Sequence, residues 1–261
     1  MNLITVHSQA VPQGIAHVAE ITTAHPWHWL AAGWRDLTQA PAVSIGYGTL
    51  FVIASYLITL GVAYNGLLYL LLPLLGGFFL VAPACALGLY EISRRLEQGQ
   101  TPTLWHAFCA LRRNSFQVLN LGVALVVVYL FWLMAANLVF ATLTSGVTPS
   151  FENFLPFLFS VDNLPALIVG TLVGALFAVV VFAATVVSLP MLLDRDDVDL
   201  FSAMQTSVAA FRYNWRPLLL WAALILCVIL SGLVTLYVGL ALGFPLVGYA
   251  TWHAYRDLVV R

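Results

Sequence analysis

Long stretches without charge alternate along this chain with short segments that carry nearly all of it. From Leu37 to Tyr90 no charged residue occurs for 54 positions, and Phe116–Phe151, Asn163–Leu193 and the 39 residues of Pro217–Tyr255 are likewise free of charge. A helix needs about 20 apolar residues to cross a hydrocarbon core of roughly 30 Å. The first stretch therefore predicts two spans, with a turn at Asn65-Gly66. The second predicts one span over 117–142, followed by a loop from Gly146 to Pro165 that carries only Glu152 and Asp162. The third predicts one long span that tilts or projects from the bilayer. The last predicts two spans joined by a tight turn between Ser231 and Gly239. Six spans result, an all-α membrane protein.

The segments between spans have their own period. Trp27, Leu30, Trp34 and Leu37 recur at helical spacing before the first span. Leu104, Phe108 and Leu111 do so before the third, and Leu200, Met204, Val208 and Phe211 before the fifth. Each is an apolar stripe of about three turns, as expected of an amphipathic helix lying in the membrane interface. Each runs into a pair of spans, and the junctions align: Leu111-Arg112-Arg113-Asn114 with Phe211-Arg212-Tyr213-Asn214, and more weakly with Leu37-Thr38-Gln39-Ala40. The second span of each pair carries a proline, Pro83, Pro190 or Pro245, expected to kink it by removing a backbone hydrogen bond. An aromatic follows seven residues after the first and third prolines (Tyr90, Trp252), and an arginine eleven after (Arg94, Arg256). The organisation expected is a segment at 1–25, then one membrane domain over 26–259 built from three units: 26–100, 101–197 and 198–259. The units share one orientation, unlike the inverted repeats of many secondary transporters.

Composition agrees. The chain is 62% hydrophobic and 8% charged, against about 25% charged for a soluble domain. Net charge is −1, so no global field draws nucleic acid. All ten basic residues are arginines, and they fall before the first span, in the two connections after spans 2 and 4, and after the sixth. The positive-inside rule then puts both termini in the cytoplasm of a bacterial inner membrane. Trp27, Trp29, Trp34, Trp105, Trp215 and Trp252 fall at the same interface, where amphipathic rings anchor. Residues 1–25 lack the basic start and apolar core of a signal peptide. Cys85, Cys109 and Cys227 are scattered and suggest neither a disulfide framework nor a zinc site.

Candidate chemistry is sparse. No ionisable residue lies in the middle of a span, which argues against proton pumping, ion coupling and haem ligation. Asn137 is the one strongly polar side chain deep in a span, expected to bond to a neighbouring helix. His25, His28, His106 and His253 share the interface but have no recognised metal spacing, so interface polarity outweighs a metal site. Asp194, Asp196 and Asp197 belong to a dense acidic run without the glycine and terminal glutamate of a calcium loop. Asp197 or Asp199 is expected to cap the next helix instead. Gly170 with Gly174, and Gly239 with Gly243, permit close helix approach. Neither a nucleophile–base pair nor a nucleotide fingerprint is present.

The segments GWRDLTQAP (33–41), GLYEISRRLEQGQ (88–100), SLPMLLDR (188–195) and GYATWHAYRDLV (248–259) resemble a family of uncharacterised bacterial multi-pass integral membrane proteins, a domain of unknown function. The resemblance runs from about residue 18 to 259 and implies the architecture but no mechanism. Some members carry a loose label as cytochrome c oxidase subunit I. That label does not fit a chain with no membrane-embedded histidine to hold haem or copper.

These readings lead to a non-enzymatic membrane protein without cofactor. Its expected working surface binds another membrane complex or anionic lipid through Arg35, Arg94, Arg95, Arg112, Arg113, Arg212, Arg216, Arg256, Trp34, Trp105 and Trp252. A passive or lipid-like transporter is the alternative, marked by a pocket reaching the bilayer midplane. An integral-membrane enzyme is third and needs the histidines and aspartates to converge.

Overall fold

The computed structural model describes residues 17–65, 71–112, 115–144, 156 and 160–260. Among them the fold is helical: α1 (His25–Gln39), α2 (Pro41–Tyr64), α3 (Leu71–Cys85), α4 (Leu87–Glu97), α5 (Leu104–Cys109), α6 (Ser115–Leu143), α7 (Leu164–Thr185), α8 (Ser188–Asp194), α9 (Leu200–Tyr213), α10 (Trp215–Val234) and α11 (Leu240–Leu258). A 3₁₀ turn at Ala110–Arg112 extends α5, and another at Val161–Asn163 precedes α7.

Among the described residues four helical segments have the length and apolar composition to cross a membrane: Pro41–Tyr64, Ser115–Leu143, Val161–Asp194 and Trp215–Val234. The second expected span is divided at Ala86 into α3 and α4. The sixth corresponds to α11, whose last turns are polar. Pro190 cannot donate to the carbonyl of Val186, and the chain leaves the helix at Val186–Val187, between α7 and α8. Pro83 lies inside α3, three residues before the turn at Ala86. Pro245 differs: α11 runs through it without a break. The expected kinks are thus joints near Pro83 and Pro190 and an uninterrupted helix at Pro245.

The turn between α10 and α11, which the sequence leaves open, falls at Thr235–Gly239. Leu236 and Tyr237 adopt φ of 52° and 70° there, a conformation costly for side chains this large. Helix α2 braces them. Tyr56 Oη donates to the Leu236 carbonyl at 2.6 Å, and the Thr59 and Tyr237 hydroxyls pair at 2.8 Å. The joints entering α2 and α10 share one backbone form, with φ −128° and ψ 57° at Ala40 and φ −119° and ψ 35° at Asn214. The third aligned junction, at Arg113-Asn114, lies outside the described residues, as do Gly66 and most of the 146–160 loop.

Burial concentrates where the arginines are. Every residue of Leu87–Ser93 and Ser188–Leu193 is buried, as are Phe244, Tyr249, Trp252, Tyr255 and Leu258 of α11. Over the span helices the buried share runs only from 6% for Ser115–Leu143 to 28% for Trp215–Val234. Apolar side chains on those helices face outward, as lipid requires. Two helix groups diverge from the packed end. One is α3, α6 and α7; the other is α1, α2, α10 and α11. Helices α4, α8 and α9 tie the groups together at the arginine-bearing end. In this arrangement α2 packs chiefly on α11 rather than on α3.

Helix α11 packs at backbone distance on α1. A Cβ added to Gly33 would lie 2.8 Å from the Ala250 nitrogen and 2.9 Å from the Leu246 carbonyl oxygen, so only glycine allows the approach. Small residues recur on the buried faces of the three surface-type helices. In α1 that face is Pro26, Trp29, Ala32, Gly33, Asp36 and Leu37. In α5 and its 3₁₀ turn it is Ala107 and Ala110; in α9 it is Ala203, Thr206, Ser207 and Ala210. Within the expected apolar stripes Trp27, Trp34, Phe108 and Val208 are exposed, Leu37 is buried, and Leu30, Leu104, Leu200, Met204 and Phe211 pack partly buried against the core.

Residues 17–21 are fastened to the helical body. Ala19 N donates to the Leu258 carbonyl at 2.9 Å, and Val260 N to the His17 carbonyl at 3.1 Å. The Asn214 side chain accepts from Ile21 N at 2.9 Å and donates to the Ala19 carbonyl at 3.0 Å. One amide side chain thus satisfies two backbone groups of the incoming strand.

Candidate functional site

The less exposed polar side chains at the arginine-bearing end are matched with partners. Glu91 of α4 is buried and accepts from Arg94 Nε at 2.8 Å and Arg95 Nε at 2.6 Å. The i, i+3 and i, i+4 spacing places both guanidinium groups over one carboxylate, and the last turn of a helix favours their charge. Burial pushes the Glu91 carboxyl up, but the hydrogen bonds and charges of Arg94 and Arg95 together outweigh it and hold it below the usual carboxylate range. Asp36 of α1 accepts from the Ser93 hydroxyl and meets His253 Nε2 at 2.9 Å. Arg256 of α11 pairs with Glu97 at 3.0 Å and lies 3.6 Å from Asp194, which also accepts from the Tyr255 hydroxyl at 3.0 Å. Trp29 Nε1 donates to Asp257 at 2.7 Å, and Arg195 Nη2 to the Val260 carbonyl at 3.3 Å.

This pairing divides the residues of the expected working face. Arg94 and Arg95 bind the buried Glu91, and Arg256 pairs with the exposed Glu97 and lies near the half-buried Asp194. Trp252 is fully buried against Tyr255, its indole nitrogen unpartnered, so it is a core residue and no interface anchor. Trp29 is buried as well. Arg35, Arg112, Arg212 and Arg216 are exposed and enter no ion pair among the described residues. Trp27, Trp34, Trp105 and Trp215 are exposed near them, and Arg216 stacks over the Trp215 ring at 5.1 Å. Arg113 lies outside the described residues.

The other candidates serve local structure. His25 Nδ1 accepts from Thr22 N at 3.1 Å. His106 and Thr103 form a reciprocal capping box at the start of α5, and His28 is exposed. Among the described residues no three His, Cys, Asp or Glu side chains gather as metal ligands. Asp194 turns inward onto Tyr255 and Arg256, while Asp196 and Asp197 are exposed. Asp199 is the residue that caps α9, accepting from Ser202 N at 2.8 Å, and that bond holds its carboxyl below the ordinary value. Asn137 donates to the Leu133 carbonyl of its own helix at 2.7 Å and not to a neighbour. Its side chain reaches the carbonyl four residues back more readily than another helix.

Between the diverging helix groups lies an apolar slot of about 480 Å³, partly open to the outside of the bundle. It is lined by Phe78, Ala82 and Pro83 of α3, Trp132 of α6, Thr171–Val186 along α7, Ala222–Ile229 of α10, and Phe244–Thr251 of α11. The joints near Pro83 and Pro190 border it. Its threonine hydroxyls, those of Thr171, Thr185 and Thr251, donate to carbonyls of their own helices. Tyr90 also lines it, 3% exposed, with no hydrogen-bond partner for its hydroxyl among the described residues. Gly174 faces the edge of Trp132, so this small residue serves internal packing. Nothing in the residue pattern signals the slot, because its walls come from helices whose divergence the sequence does not state.

Residues 71–194 match the model of a family described as Predicted integral membrane protein (DUF2189). That match is to the kind of multi-pass membrane family that the sequence motifs resemble, and it covers the middle of the chain rather than the whole of 18–259. No curated protein and no solved structure gives a significant match.

Proposed function

We propose that this membrane protein is a non-enzymatic organising factor of the bacterial inner membrane that holds anionic phospholipid at its cytoplasmic face. In this reading the chain makes six spans as three repeated hairpins, both termini are cytoplasmic, and each hairpin is preceded by an interfacial helix. One observation carries the lipid assignment. The exposed arginines divide from the half-buried, ion-paired ones, leaving Arg35, Arg112, Arg212 and Arg216 without carboxylate partners among the described residues, in segments that also carry exposed tryptophans. Unpaired guanidinium groups next to interfacial rings suit a phosphate headgroup, and Arg presents the fork geometry that phosphate needs.

The repeat is supported by the matching joints at Ala40 and Asn214 and by the small residues that recur on the buried faces of α1, α5 and α9. Its periplasmic side is checked by a reporter fused within 146–160, which a cytoplasmic readout contradicts. The lipid assignment is tested by thermal unfolding of the purified protein in detergent. Dioleoyl-phosphatidylglycerol should raise the midpoint, phosphatidylcholine much less, because a ligand that binds only the folded state stabilises it. Combined substitution of the four arginines by glutamine should remove the difference. An equal response to both lipids in the unmodified protein rejects the assignment.

A further inference from the structure

We propose that the intramembrane slot is a binding site for one acyl chain of a phospholipid, whose ester carbonyl accepts a hydrogen bond from the Tyr90 hydroxyl. Shape supplies the first argument. Along α7 the lining runs from Thr171 to Val186, about 22 Å at the helical rise. The slot holds about 480 Å³ along that length, room for an extended hydrocarbon chain lying beside α7.

Chemistry supplies the second. The lining is apolar, and its threonine hydroxyls already donate to their own helices. Two lining donors have no acceptor among the described residues: the Trp132 indole nitrogen, which is itself buried, and the Tyr90 hydroxyl, on the wall of the slot. The Tyr90 hydroxyl is the one left accessible, and on an apolar wall it lacks a hydrogen bond that an incoming acceptor supplies.

Placement supplies the third. Tyr90 immediately precedes Glu91 and the Arg94–Arg95 pair, so it lies at the polar end of the slot. The remaining lining extends toward the middles of α6, α7 and α10. A phospholipid in the adjoining leaflet has the same order, with headgroup outside, ester carbonyl just below it, and chain toward the midplane. The partial opening of the slot to the outside of the bundle gives the chain a route from the bilayer. This site needs only that the protein is embedded in a membrane; it does not depend on headgroup binding by the exposed arginines.

Native mass spectrometry of the full chain tests the site. The protein is released from detergent after titration with dioleoyl-phosphatidylcholine, a lipid without net charge. A single-lipid adduct is expected. Ala222→Phe fills the slot from α10 and should abolish the adduct. Tyr90→Phe removes only the hydroxyl and should weaken binding about three- to tenfold, the effect of one hydrogen bond. If Ala222→Phe does not fold, Tyr90→Phe decides. Combined substitution of Arg35, Arg112, Arg212 and Arg216 by glutamine should leave the adduct in place. The proposal is overturned by absence of an adduct on the unmodified protein, by unchanged binding in Tyr90→Phe, or by an adduct lost only with the arginines.

Discussion

The two ends of the described α7 illustrate the two regions of this molecule. Where α7 gives way to α8, every residue from Ser188 to Leu193 is buried and the surrounding charges are paired. Over its length within the bilayer, α7 buries little and borders an open slot. The contrast separates two tasks. Packing and charge pairing at the arginine-bearing end hold the helices together, and lipid solvates the rest. In a membrane no hydrophobic force pulls apolar helices together, so close small-residue contacts and polar pairs must do so.

Glycine substitutions should break that comparison most sharply. Gly33→Leu forces a side chain into the backbone of α11 and should cost at least about 3 kcal/mol, seen as aggregation on size-exclusion chromatography. At Gly122 of α6 an added Cβ meets nothing within 4 Å. Gly122→Ala should therefore be neutral or stabilising by up to about 1 kcal/mol from helix propensity. A large loss at Gly122 would mean that the open region is packed after all.

Next in size is Glu91→Gln, which leaves two guanidinium groups facing a neutral amide in a mostly buried site. Breaking a buried pair costs about 3 kcal/mol, and thermal unfolding in detergent should show it. The same pair fixes a pH dependence. Because the folded-state pKa of Glu91 is lowered, its stabilisation is fully present above the ordinary value of 4.5 and is lost as pH falls through the folded value. The melting difference between the unmodified protein and Glu91→Gln should therefore be constant near neutrality and shrink only in acid. A difference that changes between pH 6 and 8 would assign the effect to another group.

A smaller loss, about 1–2 kcal/mol, is expected for Asp36→Asn, which weakens the contact with His253 while keeping a hydrogen-bonding side chain for Ser93. The smallest effect belongs to Arg212→Gln, within about 0.5 kcal/mol, since this exposed side chain has no ion-pair partner among the described residues. A loss at Arg212 as large as that at Glu91 would erase the distinction between paired and unpaired arginines.

Charge spacing reveals much of the architecture in advance, because lipid tolerates so few polar groups that their positions mark helix ends. The four long apolar helices and the Asp199 cap follow from such local rules. Which tryptophan faces outward does not. Trp29 and Trp252 share the sequence setting of Trp34 and Trp105, but Trp29 is buried where α1 meets α11 and donates to Asp257, and Trp252 is buried against Tyr255. Nor does spacing reveal that Asp36 meets His253, 217 positions away. Periodicity marks large apolar residues, whereas the closest helix contacts select small ones. A run such as Ala203, Ser207 and Ala210 was the available signal.

The most direct test of this division compares thermal unfolding of Glu91→Gln and Ala222→Phe in the same detergent without added lipid. One removes a charge partner at the packed end; the other adds volume beside an existing slot. Glu91→Gln should lower the midpoint by about 5–10 °C, the equivalent of its expected loss for a chain of this size, while Ala222→Phe should change it by no more than about 2 °C. The reverse order would contradict the account, placing the stability of the fold in its membrane interior rather than at its arginine-bearing end.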